Sequence, residues 1–172
     1  MWEPAAEPAP DPAELHRLLA ARGATAAAAE SLTGGLIAAA LTETAGASAT
    51  FRGAVVAYAT DLKARLLGVD EELLAAYGAV HPEVAAAMAE GIRARAAATF
   101  GLAVTGVAGP DPQDGQPVGT VYGAVAWQGG TVTEHWSLTG DRSLIRHRTQ
   151  RHALDLLHRV LVLAAREGEH NR

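Results

Sequence analysis

Two side chains raise the question of chemistry first: Ser48, in the loop Gly46-Ala47-Ser48-Ala49, and Lys63, fifteen positions further on. A serine hydroxyl attacks a carbonyl carbon only if something takes its proton, and a neutral lysine amine can do that. An ordinary lysine has a pKa of about 10.4, and bringing it toward 7 requires roughly 4 kcal/mol. The site must therefore be dry or positively biased. The start of the helix that carries Lys63 assists, because its dipole disfavours a cation there. The plain alternative is a turn serine and a solvated lysine, and spacing alone leaves both open. The strand between the two delivers Tyr58.

Three further stretches have residue types suited to a ligand. Glu30-Ser31-Leu32-Thr33-Gly34-Gly35 is a hydroxyl- and glycine-rich turn between a strand and a helix. Free N–H groups and the positive end of a helix dipole make such a turn an anion site, here for a phosphate. An N-cap and a tight turn explain the same residues equally well. Thr105-Gly106 opens the loop Thr105–Asp111 directly after an apolar strand, where ligands bind in open α/β sheets; an ordinary strand-exit turn is the alternative. Arg142 and Arg146 share a helix face at i,i+4 and are candidates to hold a phosphate, against a simple solvated basic face. No G-x-S-x-G elbow, H-E-x-x-H, Walker A or G-x-G-x-x-G pattern occurs. With no cysteine and scattered histidines, no metal site is expected.

The elements that must position these groups alternate. Asp11-Pro12 reads as an N-cap and first helical residue, with Leu15, Leu18 and Leu19 as an apolar stripe ended by Gly23. Strands are expected at about 24–29, 53–58, 101–107, 119–127 and 131–138, with Gly129-Gly130 turning a hairpin. Helices are expected at 34–43, after Thr60, after Asp70, from Pro82 to about Phe100, and from Asp141 to about Arg166, where the chain frays. Helices between apolar strands predict an α/β fold: a three-layer α/β/α sandwich with a mostly parallel sheet and an antiparallel hairpin near the C-terminus. Residues 1–12, rich in Pro, Ala and Glu, are expected to form a disordered leader; 13–165 form one domain.

The 172 residues carry a formal charge of −5, which argues against general nucleic-acid binding. No apolar run reaches the length of a membrane span, and no signal peptide is recognisable. The absence of cysteine suits a reducing cytoplasm.

The ordered segments AESLTGG, GASATF, GAVVAYATDLK, TGVAGPD, PVGTVYGAVAW and GDR resemble the CinA C-terminal-domain family over about residues 13–163. Each segment alone is weak, but six in order are specific. The resemblance implies hydrolysis of the carboxamide of nicotinamide mononucleotide to nicotinic acid mononucleotide and ammonia, as a stand-alone enzyme without a cofactor. It implies Ser48 as nucleophile, Lys63 as its base and Tyr58 as a helper. It also makes the Glu30–Gly35 turn, Thr105, Gly106 and, less directly, Arg142 and Arg146 substrate-binding elements. Leu32 stands where a Cys is common, and the Asp111–Gln116 loop is more acidic than the usual glycine-rich form. The expected partners are a small nucleotide and further copies of the chain, with no nucleic acid and no membrane. The rival function is a non-catalytic nucleotide-binding or competence-linked regulatory module on the same fold.

Overall fold

A computed structural model describes residues 10–170, with side-chain surroundings through residue 166. The expected leader therefore lies almost wholly outside the described residues. Asp11 caps α1 (Pro12–Ala20) by accepting the Ala13 N–H. There follow β1 (Ala26–Glu30), α2 (Leu36–Thr42), a short 3-10 turn (Ala47–Ala49) and β2 (Phe51–Val56). Then come α3 (Thr60–Leu67), α4 (Glu71–Tyr77), α5 (Pro82–Arg95) and β3 (Phe100–Gly106). The hairpin β4 (Thr120–Trp127) and β5 (Gly130–Ser137) leads into α6 (Arg142–His170). The last helix stays helical past Arg166, where fraying was expected.

The five strands lie in the order β2-β1-β3-β4-β5. β1 is parallel to both β2 and β3, β4 is antiparallel to β3, and β5 is antiparallel to β4. The expected sandwich is present, with parallel pairing confined to the β2-β1-β3 half of the sheet.

The strand period sorts the core into two layers. Ala26 and Ala28 face α1, α2 and α6, alongside Leu102, Val104, Val121 and Val125. Ala27 and Ala29 face the other way, onto the layer of α3, α4 and α5, with Ala103, Ala124 and Ala126. This second face is built from alanines, so helix backbone can come close. A Cβ placed on Gly101 would stand 2.1 Å from the Ala89 carbonyl oxygen of α5. One on Gly91 of α5 would stand 1.9 Å from the Leu67 carbonyl oxygen of α3. The run of alanines in β1 has weak intrinsic β propensity; it is a strand because it is central and covered on both faces.

The ends of β1, β2 and β3, the start of β4 and the end of β5 all lie along one sheet edge, as does the start of α6. The start of β2 lies along the opposite edge.

The Gly91 contact is testable. Helix propensity favours Ala over Gly by about 1 kcal/mol, but a collision with backbone carbonyl outweighs it. Gly91→Ala should destabilise the protein by about 1–3 kcal/mol, measured by denaturant unfolding; a stabilised variant would show that α3 and α5 are not packed this closely.

Candidate active site

Lys63 sits in the first half of α3, and its side chain is only 1% exposed. Its Nζ lies 2.7 Å from the Ala57 carbonyl oxygen, 3.4 Å from the Tyr58 carbonyl oxygen and 3.1 Å from Ser31 Oγ. Burial lowers its pKa from the ordinary 10.5 to about 8, against the raising effect of the Asp114 carboxylate. The two carbonyls can only accept, so they take two N–H bonds. A neutral amine then has one lone pair left, and Ser31 is the one partner with a proton to give it. The geometry thus presents a serine hydroxyl to an amine that is partly unprotonated near neutral pH.

The expected Ser48–Lys63 pair does not form. Ser48 is exposed, in the 3-10 turn before β2. Lys63 enters just after β2, and Ser31 just after β1, at the other sheet edge. Six strand residues at about 3.3 Å each separate the two edges by about 17–20 Å. The segment around Ser48 has a packing role instead. Its neighbour Thr50 is buried, 2.6 Å from His16 Nδ1, while His16 Nε2 donates to the Leu41 carbonyl at 2.6 Å.

The Ser31–Gly35 turn also differs from the expected phosphate cradle. Glu30 is fully buried, and its carboxylate accepts the N–H groups of Gly35 (3.1 Å), Ile37 (3.0 Å) and Ala38 (3.0 Å). The protein's own anion therefore fills the start of α2, where Glu30 is an internal cap and not a substrate ligand. Gly34 and Gly35 have φ of +57° and +106°, which explains both glycines by backbone conformation. By contrast, the N–H groups of Leu32 and Thr33 make no hydrogen bond among the described residues. Thr33 is buried and its Oγ1 also has no partner. A buried hydroxyl without a partner is uncommon in a folded protein.

Ser31, Leu32, Tyr58, Thr105, Gly106 and Arg142 line a common cleft of about 90 Å³. Tyr58 is 56% exposed, and its hydroxyl lies 2.8 Å from an Arg142 guanidinium nitrogen; its side chain faces the cleft while its carbonyl holds Lys63. Arg142 also donates to the Gly109 carbonyl, and no carboxylate pairs with it among the described residues. Arg146 lies behind the turn, donating to the Leu32 and Thr33 carbonyls at 2.9 and 3.1 Å. Thr105 Oγ1 donates to the Ala79 carbonyl at 2.7 Å, so its hydroxyl proton is already used. Gly106 is required by close packing: a Cβ there would meet the Thr120 carbonyl oxygen at 2.7 Å. Among the described residues no three His, Asp or Glu side chains converge as metal ligands.

Residues 10–161 match the model of the CinA C-terminal domain. The chain belongs to the CinA C-terminal domain family. A CinA-like protein of Frankia casuarinae is 58% identical over 84% of this chain. A putative competence-damage inducible protein of Halothermothrix orenii is 46% identical over 87% of it. The chain spans 33% and 37% of those two relatives, about a third of their length. A competence/damage inducible protein of Agrobacterium tumefaciens superposes with TM-score 0.80 at 39% identity, covering 92% of this chain and 99% of that one. A CinA superfamily protein of Klebsiella pneumoniae superposes with TM-score 0.84 at 35% identity, covering 88% and 95%. Among the described residues no helix of this CinA-family chain is long and apolar enough to cross a membrane.

One signal for Lys63 is present in the composition. The chain has thirteen arginines and one lysine. Of these two residue types only lysine readily loses its proton when buried.

The buried amine makes stability depend on pH. Lys63 holds its proton less tightly when folded, so between about pH 8 and 10.5 the unfolded chain binds the extra proton and stability rises with pH. The cost is fully present below pH 8. Wild type should therefore gain about 3 kcal/mol relative to Lys63→Met on going from pH 7 to pH 11. Denaturant unfolding of both proteins at the two pH values measures this; parallel curves would mean that Lys63 is not desolvated.

Proposed function

We propose that this protein is an amidohydrolase in which Ser31 is the nucleophile and Lys63 its base, acting on the carboxamide of nicotinamide mononucleotide. The observation that carries the reading is the 3.1 Å approach of Ser31 Oγ to a buried Nζ whose other two partners are carbonyls. The substrate is what the family resemblance implies, and Arg142, unpaired with any carboxylate at the cleft, supports an anionic group such as its phosphate.

Each step can be assigned to groups at the site. Neutral Lys63 accepts the Ser31 proton as Oγ attacks the carboxamide carbon. The oxygen of the tetrahedral intermediate turns toward the N–H groups of Leu32 and Thr33, which stand free beside the nucleophile. The Lys63 ammonium gives its proton to the amide nitrogen, the C–N bond breaks and ammonia leaves. Water then attacks the Ser31 ester, its proton passing to Lys63 and back to Ser31 as the acid departs. With the carboxamide at Ser31, the rest of the substrate extends toward Tyr58 and Arg142, which line the same cleft.

Ammonia release from nicotinamide mononucleotide tests this. Ser31→Ala should lower kcat by at least about 10³-fold while the protein stays folded, since loss of one hydroxyl costs about 1 kcal/mol of stability. Ser48→Ala should stay within twofold of wild type. Lys63→Arg should be as damaging as Ser31→Ala, because guanidinium keeps its proton. In wild type kcat/KM should rise with pH and level off above about 8, as the amine deprotonates. Full turnover by Ser31→Ala would overturn the assignment.

A further inference from the structure

The loop between β3 and β4 forms one wall of the cleft through Asp111 and Gln113. Its tip is a tight turn: Gln113 and Gln116 exchange both backbone hydrogen bonds, at 3.1 and 2.8 Å. The two residues between them, Asp114 and Gly115, have φ of +51° and +74°. Positive φ at both central positions is the requirement of a type I′ turn, which Asp-Gly satisfies. This turn brings the Asp114 side chain onto the link between α4 and α5, where Gln113 Nε2 of the same loop also donates to Oδ2 at 3.4 Å. There Oδ2 accepts the Ala79 N–H at 2.8 Å. Gly78 makes room for it: a Cβ at that position would stand 2.5 Å from the Asp114 carboxyl carbon. Ala79 is tied in turn to the sheet, its carbonyl accepting from Thr105 Oγ1 at 2.7 Å.

We infer that Asp114 is a positioning residue that latches the β3–β4 loop to the α4–α5 link as a wall of the cleft. The latch stands on the hydrogen bond and on the glycine slot. Its carboxylate has a second effect, on Lys63, while the other charges on the surrounding elements are engaged elsewhere. Glu30 is turned onto the start of α2. Asp61 and Arg65 on α3 face each other at 3.8 Å. His81, at the start of α5, stacks on Tyr77 and accepts the Glu83 N–H. Arg95 of α5 lies against Gly68. Glu71 and Glu72 lie in the first turn of α4, and Asp70 caps it. Arg142 is bound to Tyr58 and Gly109, and Asp111 lines the cleft wall. Asp114 is the carboxylate whose charge raises the affinity of Lys63 for its proton, against desolvation. In the proposed reaction, on which this second effect rests for its use, Lys63 must hold a proton between attack and departure of ammonia. A carboxylate that acts through space favours that state without occupying the lone pair that Ser31 needs.

The test exploits the single lysine of the chain. Protein labelled with ¹³C,¹⁵N-lysine gives one side-chain amine signal, whose pH titration is read by NMR with no substrate present. Asp114→Asn keeps an oxygen for the Ala79 N–H and tolerates positive φ, but carries no charge. Its Lys63 midpoint should fall by about 0.3–1 pH unit below wild type. Exchange of the Ala79 amide should stay as slow as in wild type in Asp114→Asn and quicken at least tenfold in Asp114→Ala. A Lys63 midpoint unchanged in Asp114→Asn, or an Ala79 amide equally protected in Asp114→Ala, would overturn the inference. If both shifts occur in a protein that releases no ammonia from the nucleotide, the proposed substrate is wrong and the latch stands.

Discussion

A dry lysine amine constrains almost everything else at this sheet edge. Removing Nζ from water without an opposite charge in contact is costly, and the protein offsets part of that cost with two backbone carbonyls. Those carbonyls exist because β2 ends at Val56 and the chain turns at once into α3, leaving Ala57 and Tyr58 outside both elements. The third acceptor position falls to the residue after β1 because β1 runs parallel to β2 and pairs Glu30 with Val56. Strand order, strand direction and the shortness of the β2–α3 link are thus all needed to bring a hydroxyl to that amine. A shift of one residue in the β1–β2 register would carry Ser31 along the edge by about 3.3 Å, beyond hydrogen-bond range.

Next to the amine lies a second buried ionisable group, and the two do not pair. Glu30 directs its carboxylate to the N–H groups at the start of α2, where a negative charge is stabilised by the helix dipole and by three hydrogen bonds. This arrangement separates the acid from the base by turning the chain between them. If Glu30 reached Lys63 instead, the amine would be locked as ammonium and useless as a base. The same arrangement fills the start of α2 with the protein's own carboxylate, while Arg142, at the cleft rim, has no carboxylate partner among the described residues.

The fold was largely legible in the sequence because its elements carry punctuation: Asp11-Pro12, Gly68, Gly78, Pro82 and the Gly129-Gly130 turn all mark boundaries near those observed. The least legible strand, the alanine run of β1, is made by its neighbours on both faces and not by its own propensity. At the site, Lys63, Tyr58, Ser31 and Arg142 were all visible as candidates, and the structure gathers them into or behind one cleft. What one-dimensional spacing could not reveal is which serine meets the lysine. Ser48 is nearer to Lys63 in sequence, but a strand lies between them, and a strand carries its two ends apart. Ser31 is twice as distant in sequence and comes close because parallel neighbours end together. Glu30 misled for a related reason: a carboxylate before a glycine-rich turn looks like a ligand-binding group until its partners are seen to be the turn's own N–H groups.

The contrast between the two sheet edges bears on whether the cleft takes a ligand at all. At the edge where β2 begins, the buried polar groups are satisfied internally: His16 uses both ring nitrogens, on Thr50 and on the Leu41 carbonyl. At the edge where β1 and β2 end, the opposite holds within a few residues of Ser31. The Leu32 and Thr33 N–H groups and the Thr33 hydroxyl make no hydrogen bond among the described residues, and Arg142, held by Tyr58 and the Gly109 carbonyl, faces no carboxylate there. The buried Thr33 hydroxyl alone, left without a partner, costs about 1–3 kcal/mol, a sizeable share of the net stability of a domain. A protein under selection for folding alone would lose such donors or cover them. Their concentration beside one hydroxyl and one partly deprotonated amine, on the edge of the sheet that the parallel strands aim at, is what a site for a polar carbonyl substrate requires and what a purely structural edge does not.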